Sequence, residues 1–296
     1  MEHALRFELF VDAGCELAES PVWDDRRQLL WWVDIPRGAL HVADEAAGSR
    51  QVWLFDSPLA SLGLCEGGGL ILAFADRVAL WDPDRPSPAS LWERPASGVT
   101  MRFNDGKVGP DGCFWVGTMD LRAEKQPVAA LWRIRPDGRA EEKYSGIRVS
   151  NGLAWSADGR TMLHSDSRGP WIDRWDFDPT TGSIAGRARL ADLDEGTGRP
   201  DGGACDSAGS YWSCGVSAGR LNRFALDGRM LSSHGFPVPC PTMPAFGGGD
   251  LRTLYVTSHR ENFTVERLAA APLSGAVFRA EAPAAGVPVH RFGDVR

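Results

Sequence analysis

Arg102-Phe103-Asn104-Asp105-Gly106-Lys107, followed by Pro110-Asp111-Gly112 and then by Phe114-Trp115-Val116-Gly117-Thr118-Met119, is the stretch from which the rest of the chain can be read. It reads as a polar start, a short strand, a tight Asp-Gly turn and a second strand with an aromatic centre. Ser150-Asn151-Gly152-Leu153-Ala154-Trp155, Pro200-Asp201-Gly202-Gly203-Ala204 and Glu19-Ser20-Pro21-Val22-Trp23 follow the same grammar. A local pattern that recurs around a chain indicates a repeat architecture.

Two independent markers measure the repeat. The centres of the second strands, Trp31, Ile71, Trp115, Leu163, Trp212 and Tyr255, are separated by 40, 44, 48, 49 and 43 residues. The polar residues that open the first strands, Glu19, Ser61, Asn104, Asn151, Asp201 and Thr242, are separated by 42, 43, 47, 50 and 41. A period in the forties with short alternating strands is that of four-stranded propeller blades. The expectation is an all-β, six-bladed β-propeller with about four strands per blade, forming a single domain over residues 1–296. The best helical candidate is Val265–Ala270, which is short and ends at Pro272. The first strand-like run, Leu5–Phe10, precedes blade 1 and should close the ring in the last blade, beside 276–278 and Val289-His290-Arg291-Phe292. Closure removes exposed sheet edges.

Bulk properties narrow the function. Formal net charge is -7, with no basic stripe, which argues against nucleic acid and anionic membranes as partners. No apolar run reaches about 18 residues, so no membrane helix is expected. Met1-Glu2-His3-Ala4-Leu5-Arg6 lacks the pattern of an export signal, and the six cysteines have neither C-x-x-C nor zinc-finger spacing, so a cytoplasmic protein with reduced thiols is expected. Asn262-Phe263-Thr264 is then an accidental sequon. The oligomeric expectation is a monomer or weak homodimer.

In a propeller the first strand of each blade lines the central channel. Residues that open those strands therefore converge at one mouth, although they are far apart in sequence. Asn-Gly and Asp-Gly are common turn dipeptides, and Asp111, Asp137, Asp158 and Asp227 lie between strands as ordinary turns. Asn151 and Asp201 differ in position: they precede a first strand, in register with Glu19. Glu19, Asn104, Asn151 and Asp201, with Arg102 nearby, would be costly together unless neutralised. A divalent cation would neutralise them. An oxygen donor set favours Ca²⁺, Mg²⁺ or Mn²⁺, with Fe²⁺ and Zn²⁺ as alternatives.

At these residues the sequence resembles the family of regucalcin (senescence marker protein 30), the gluconolactonases and the sugar-acid lactonases. The resemblance is carried by Glu19–Trp23, Trp32-Val33-Asp34-Ile35, Arg102–Lys107, Gly117-Thr118-Met119, Ser150–Trp155, Pro200-Asp201-Gly202, and Phe246-Gly247-Gly248 with Thr253–Thr257. It implies one catalytic divalent metal, Ca²⁺ first, held by Glu19, Asn151 and Asp201. It implies substrate contacts from Arg102 and Asn104, and hydrolysis of lactones. Family members often carry an acidic residue shortly after Gly-Thr-Met that binds sugar hydroxyls. Here Asp120 or Glu124 would fill that role. Arg122 and His259 read as surface residues near the mouth.

The chemistry expected of such a site is hydrolysis of an aldonolactone to an aldonic acid, with Asp201 as metal ligand and base. No G-x-S-x-G motif and no nucleophile with an adjacent base is apparent, which argues against an acyl-enzyme. Two rivals stand beside this reading. One is a metal-dependent ester or phosphotriester hydrolase on the same fold. The other is a non-enzymatic propeller that binds a partner on one face.

Overall fold

A computed structural model describes residues 5–46, 50–85 and 87–293. It contains six four-stranded antiparallel sheets arranged as the blades of a propeller. The inner strands are Ala18–Asp24, Leu59–Leu64, Met101–Val108, Ser150–Trp155, Pro200–Cys205 and Pro241–Gly247. Each carries its expected polar opener. The six second-strand centres, Trp31, Ile71, Trp115, Leu163, Trp212 and Tyr255, are all buried between blades. Burial of a side chain such as Ile71 or Leu163 contributes roughly 1.5–3 kcal/mol before ordering costs. Stacking of Trp23 on Tyr255, with ring centroids 5.7 Å apart, couples blade 1 to blade 6. The helix spans Val265–Ala270, capped by Thr264.

The ring closes as expected at its N-terminal end. Glu8–Val11 pairs with Val277–Glu281 and is the outermost strand of the sixth blade. The expectation for Val289–Phe292 is corrected. With the blade edge already taken by Glu8–Val11, this segment cannot add to the sheet. It forms a strap across the lower mouth of the channel instead. Ser207 N donates to Ala285 O, Gly286 N to Leu251 O, Val287 N to Cys205 O, Phe292 N to Leu64 O, and Gly293 N to Gly112 O. Arg291 reaches Asp24 Oδ1 at 2.9 Å and Asp25 Oδ1 at 2.6 Å. The strap thereby ties blades 5, 6, 2, 3 and 1 together.

Arg291 also completes a recurrent bracket. In blade 3, Asp111 accepts from Trp115 Nε1 at 3.1 Å and Arg133 Nε at 2.7 Å. In blade 5, Asp206 accepts from Trp212 Nε1 and Arg223, each at 2.9 Å. Asp24 takes the corresponding place in blade 1, where Trp31 Nε1 makes no hydrogen bond among the described residues and the guanidinium groups come from Arg27 and, from the far end of the chain, Arg291.

Candidate metal and lactone site

Each inner strand carries a β-bulge near its polar opener. Glu19 pairs with Val33 but Val22 with Trp31, so the inner strand has one residue more than its neighbour there. The same register shift falls between Phe103 and Gly106, Asn151 and Ala154, Pro200 and Gly203, Pro241 and Pro244, and Leu59 and Ser61. A bulge breaks the alternation of faces and re-aims side chains. Here it turns polar residues into the channel while the rest of the strand keeps its apolar faces against the blades.

Two bulges need unusual backbone. Ser20 adopts φ 50°, costly for a residue with a Cβ. Its amide donates to Glu19 Oε2 at 2.8 Å, and its Oγ accepts from Leu62 N at 3.0 Å. Gly152 adopts φ 67°, and a Cβ there would stand 2.5 Å from Tyr211 Oη and 2.6 Å from Ser165 Oγ. Only glycine fits that position.

Glu19, Asn151 and Asp201 come together at the upper mouth, as their sequence positions lead one to expect. Asn151 Nδ2 donates to Asp201 Oδ1 at 2.7 Å and to Ser167 Oγ at 2.8 Å. Burial pushes the Asp201 carboxyl up to about 7, with the charge of Asp105 adding to it, while Arg199, Asn151 and Arg102 oppose. Glu19 is likewise raised well above the carboxylate range, by burial first and then by Asp201 and Asp105. Asp105, in the stretch Arg102–Lys107, is a third carboxylate at the site, one whose role its sequence position does not reveal. It is 3% exposed, one oxygen accepts from Leu153 N at 2.8 Å, and its Oδ1 has no partner among the described residues.

Arg102 and Asn104 brace the opposite wall. Arg102 donates to Asn104 Oδ1 at 2.8 Å and to Phe103 O at 2.7 Å, and Asn104 Nδ2 donates to Ser150 O at 3.0 Å. Burial depresses the Arg102 guanidinium to about 10, against the pull of Glu261, Glu19 and Asp201. Its remaining N–H groups make no hydrogen bond among the described residues. Lys107 lies deeper, with Nζ donating to Gly203 O at 2.7 Å. Below it, on the strap side, Val22, Leu62, Trp155, Phe246 and Val289 wall a mostly apolar cavity of about 60 Å³. That is room for a few waters, away from the carboxylates.

Asp120 and Glu124 part company. Asp120 ends the second strand of blade 3, in register with Asp34 and Asp166 in blades 1 and 4. Those two residues pin backbone amides: Asp34 accepts from Glu16 N and Leu17 N, and Asp166 from Arg148 N and Val149 N. Asp120 does likewise for its own loop, accepting from Arg122 N and Nε and from Gln126 N. The hydrogen bond from Arg122 holds its carboxyl well below the usual range. Glu124 is exposed on that loop, and its carboxylate makes no hydrogen bond or ion pair among the described residues. Of the two flanking residues, Arg122 is spent on Asp120, and His259 is pushed down to about 4, chiefly by burial.

The donor set fits a hard divalent cation. It is oxygen-only, the buried carboxylates of Glu19 and Asp105 and the half-buried one of Asp201 face two half-buried cations, Arg102 and Lys107, and Asp105 Oδ1 is orphaned. A second grouping, invisible to linear spacing, is Cys15, Asp34 and His41, whose ligand atoms lie within 4.8 Å of one another. Its carboxylate is already spent on two amides. Burial raises the thiol to about 12 and lowers the imidazole to about 4. The thiol and the imidazole are therefore neutral and packed, with His41 stacked on Trp32.

Among the described residues no helix is long and apolar enough to cross a membrane. The chain is 41% identical over 276 residues to a 6-deoxy-6-sulfogluconolactonase of Pseudomonas putida, covering 92% of this chain and 94% of that protein. It is 31% identical to the regucalcin of Gallus gallus, covering 89% and 90%. The crystal structure of a calcium-binding regucalcin from Agrobacterium tumefaciens superposes with a TM-score of 0.89 at 26% identity, covering 98% of this chain and 97% of that one. Residues 17–260 match the model of the SMP-30/Gluconolactonase/LRE-like region, and the chain belongs to that family.

Proposed function

We propose that the protein is a divalent-metal-dependent lactonase that opens aldonolactones to aldonic acids. The observation that carries this reading is the convergence of Glu19, Asn151 and Asp201, delivered by bulges of three blades to one channel mouth. Two relatives named a lactonase and a regucalcin, similar over about nine-tenths of the chain, support it.

Glu19, Asp201 and the carbonyl oxygen of Asn151 would hold the ion, Ca²⁺ first, with Mg²⁺, Mn²⁺, Zn²⁺ and Fe²⁺ as alternatives. Asn151 turns its amide nitrogen toward Asp201, so ligation requires that amide to turn over. When bound, the ion supplies Lewis acidity toward a carbonyl oxygen or a water. The remaining work falls to the chain. Asp201, beside the ion, would be the carboxylate placed to accept a proton from the attacking water. Water adds to the lactone carbonyl carbon, the ring C–O bond breaks, and the departing ring oxygen takes up a proton to give a hydroxy acid. Arg102 offers its spare N–H groups to the carbonyl or the ring hydroxyls, and Asn104 holds Arg102 in place. Glu124 has a free carboxylate for hydroxyls, while Asp120 shapes the loop that carries it.

The reading is tested with purified protein, chelated and then reloaded with single divalent metals. The panel contains glucono-, xylono- and arabinonolactone, a paraoxon-type phosphotriester and an aryl ester. Lactone opening that is lost with chelator and restored by metal is the expected result. Turnover confined to the phosphotriester or aryl ester would replace it with the rival hydrolase reading. Metal-independent inertness toward the whole panel would favour the binding scaffold.

A further inference from the structure

Behind the site lies a polar pair that the proposed chemistry does not use. Ser150 Oγ is 2.8 Å from His164 Nε2, and both residues are buried. A serine beside an imidazole has the makings of a nucleophile, but this hydroxyl lies between the inner strand of blade 4 and the second strand of blade 3, where no substrate reaches it. Burial first, and then Arg187, pulls the imidazole down to about 3, so it is neutral. Its ring meets Tyr144 and Trp171 edge-on, and its Nδ1 has no hydrogen-bond partner among the described residues. Whichever nitrogen carries the proton, one polar atom of the ring is left unpaired, at a cost of about 1–3 kcal/mol. Two apolar side chains would avoid that cost, so stability alone does not explain the pair.

The pair exists only because residue 117 is glycine. A Cβ on Gly117 would stand 1.8 Å from Ser150 Oγ and 2.2 Å from Ser150 Cβ. The φ of Gly117 lies outside the left-handed region, so space and not backbone conformation demands glycine. Within blade 3, Phe103 pairs with Thr118 and Gly106 with Val116, which sets Gly117 opposite the bulge that carries Asn104 and Asp105. Ser150 O accepts from Asn104 Nδ2 at 3.0 Å, and Asn104 Oδ1 accepts from Arg102 at 2.8 Å. Hydrogen bonds therefore run from His164 through Ser150 and Asn104 to Arg102, and Ser150 is bonded in the chain to Asn151. The seat of Ser150 on Gly117 fixes how closely the blade that carries Arg102 approaches the blade that carries Asn151.

We propose that Ser150, seated on Gly117 and tied to His164, is a positioning residue that spaces blades 3 and 4 and so holds Asn104 and Arg102 at their working distance from Asn151. This rests on the lactonase reading for the use made of Arg102, but not for the spacing itself.

The test has three readouts. They are kcat/KM of the metal-loaded enzyme for gluconolactone and for an unsubstituted lactone of the same ring size, metal affinity of chelator-stripped protein by calorimetry, and solvent exchange of the Asn104 side-chain amide protons by NMR, that signal being assigned by its loss in Asn104→Ala. Gly117→Ala should lower kcat/KM for gluconolactone about tenfold or more, because small displacements of positioned groups cost rate steeply. It should show the same bias between the two lactones as Asn104→Ala, quicken Asn104 exchange at least about tenfold, and change metal affinity less than about threefold. Ser150→Ala, which keeps the space but loses the bond, should act in the same direction to a smaller extent. In an Asn104→Ala background it should cost less than about twofold further, since it acts through Asn104. Gly117→Ala combined with Ser150→Gly leaves the new Cβ an ordinary 3.5 Å from Cα of residue 150, and should recover most of the loss beyond that of Ser150→Ala. His164→Gln, which still offers a polar atom to Ser150, should lose less than His164→Leu. If Gly117→Ala does not fold, Ser150→Ala and the two His164 variants decide. A bias unlike that of Asn104→Ala, a fall in metal affinity as large as the fall in activity, or unmoved Asn104 exchange overturns the proposal. If no lactone is opened, the lactonase reading fails and the spacing is judged on Asn104 exchange alone, which must still quicken in Ser150→Ala.

Discussion

Asn151 Nδ2 stands 2.7 Å from Asp201 Oδ1, a hydrogen bond between neighbouring blades and between residues 50 apart in sequence. It is the contact that joins the neutral and the acidic donors of the site, and metal binding would break it. Asp201→Asn should therefore weaken divalent-metal affinity by at least about a hundredfold, measured by calorimetry on chelator-stripped protein. The same substitution should leave the melting temperature in chelator unchanged or higher, because it removes a charge that burial and then Asp105 oppose. A variant that keeps full metal affinity would remove Asp201 from the ligand set.

The raised carboxyls make a prediction about pH. Asp201 in the folded, metal-free chain titrates near 7 because of burial and then Asp105, whereas the unfolded group titrates near 3.9. Between those values the native state binds more protons than the unfolded state, so stability falls as pH rises. Glu19 shifts in the same direction, so its contribution has the same sign. The chelated protein should melt several degrees lower at pH 8 than at pH 5.5, on the scale of about 2–4 °C per kcal/mol. Saturating divalent metal should abolish or reverse that slope, since the ligands must be deprotonated to bind it. A slope indifferent to metal would show that other groups carry the pH dependence.

The strap supplies a stability prediction. Arg291 is 8% exposed at its side chain and faces a fully buried Asp24. Although burial alone would raise it, Arg291 and then Arg27 hold Asp24 below the usual carboxylate range. Arg291→Ala would leave that buried charge with only Arg27 and release the strap from blade 1. The expected cost is about 3 kcal/mol in urea unfolding. Arg26→Ala, which breaks an exposed pair with Glu66, should cost about 1 kcal/mol or less. Equal costs would mean that Arg291 does not anchor the strap.

The blades were legible because two chemically different markers, polar openers and apolar second-strand centres, repeat for independent physical reasons. One set faces the channel and the other fills the gaps between blades. Glu19, Asn151 and Asp201 could be picked out because position, rather than residue type, separates them from ordinary turn residues. The bulges were not legible, since an extra residue in one strand is defined only against its partner. Val289–Phe292 alternates like a strand, but nothing local reveals that Glu8–Val11 already holds the blade edge. Asp120 and Glu124 look equivalent after Gly117-Thr118-Met119; only the register with Asp34 and Asp166 distinguishes a carboxylate folded onto its own loop. The Cys15, Asp34 and His41 cluster joins side chains from two strands and a loop, and spacing could not reveal it.

Arg102 carries the last prediction. Its guanidinium is half-buried and depressed to about 10, which remains far above neutral pH, so it acts as a fixed cation rather than a proton donor. Bonds to Phe103 O and Asn104 Oδ1 occupy one terminal nitrogen and orient the fork, leaving the other N–H groups for substrate. If those groups serve ring hydroxyls, their loss penalises only substrates that carry hydroxyls, because an unpaired buried polar group costs about 1–3 kcal/mol. Arg102→Ala should therefore lower kcat/KM for gluconolactone by roughly ten- to hundredfold, and that for an unsubstituted lactone of the same ring size by much less. Asn104→Ala, which removes the brace but keeps the charge, should give a smaller loss with the same substrate bias. Equal losses on both lactones would assign Arg102 to the carbonyl, where every lactone needs it, and would leave the hydroxyls to Glu124 and its loop.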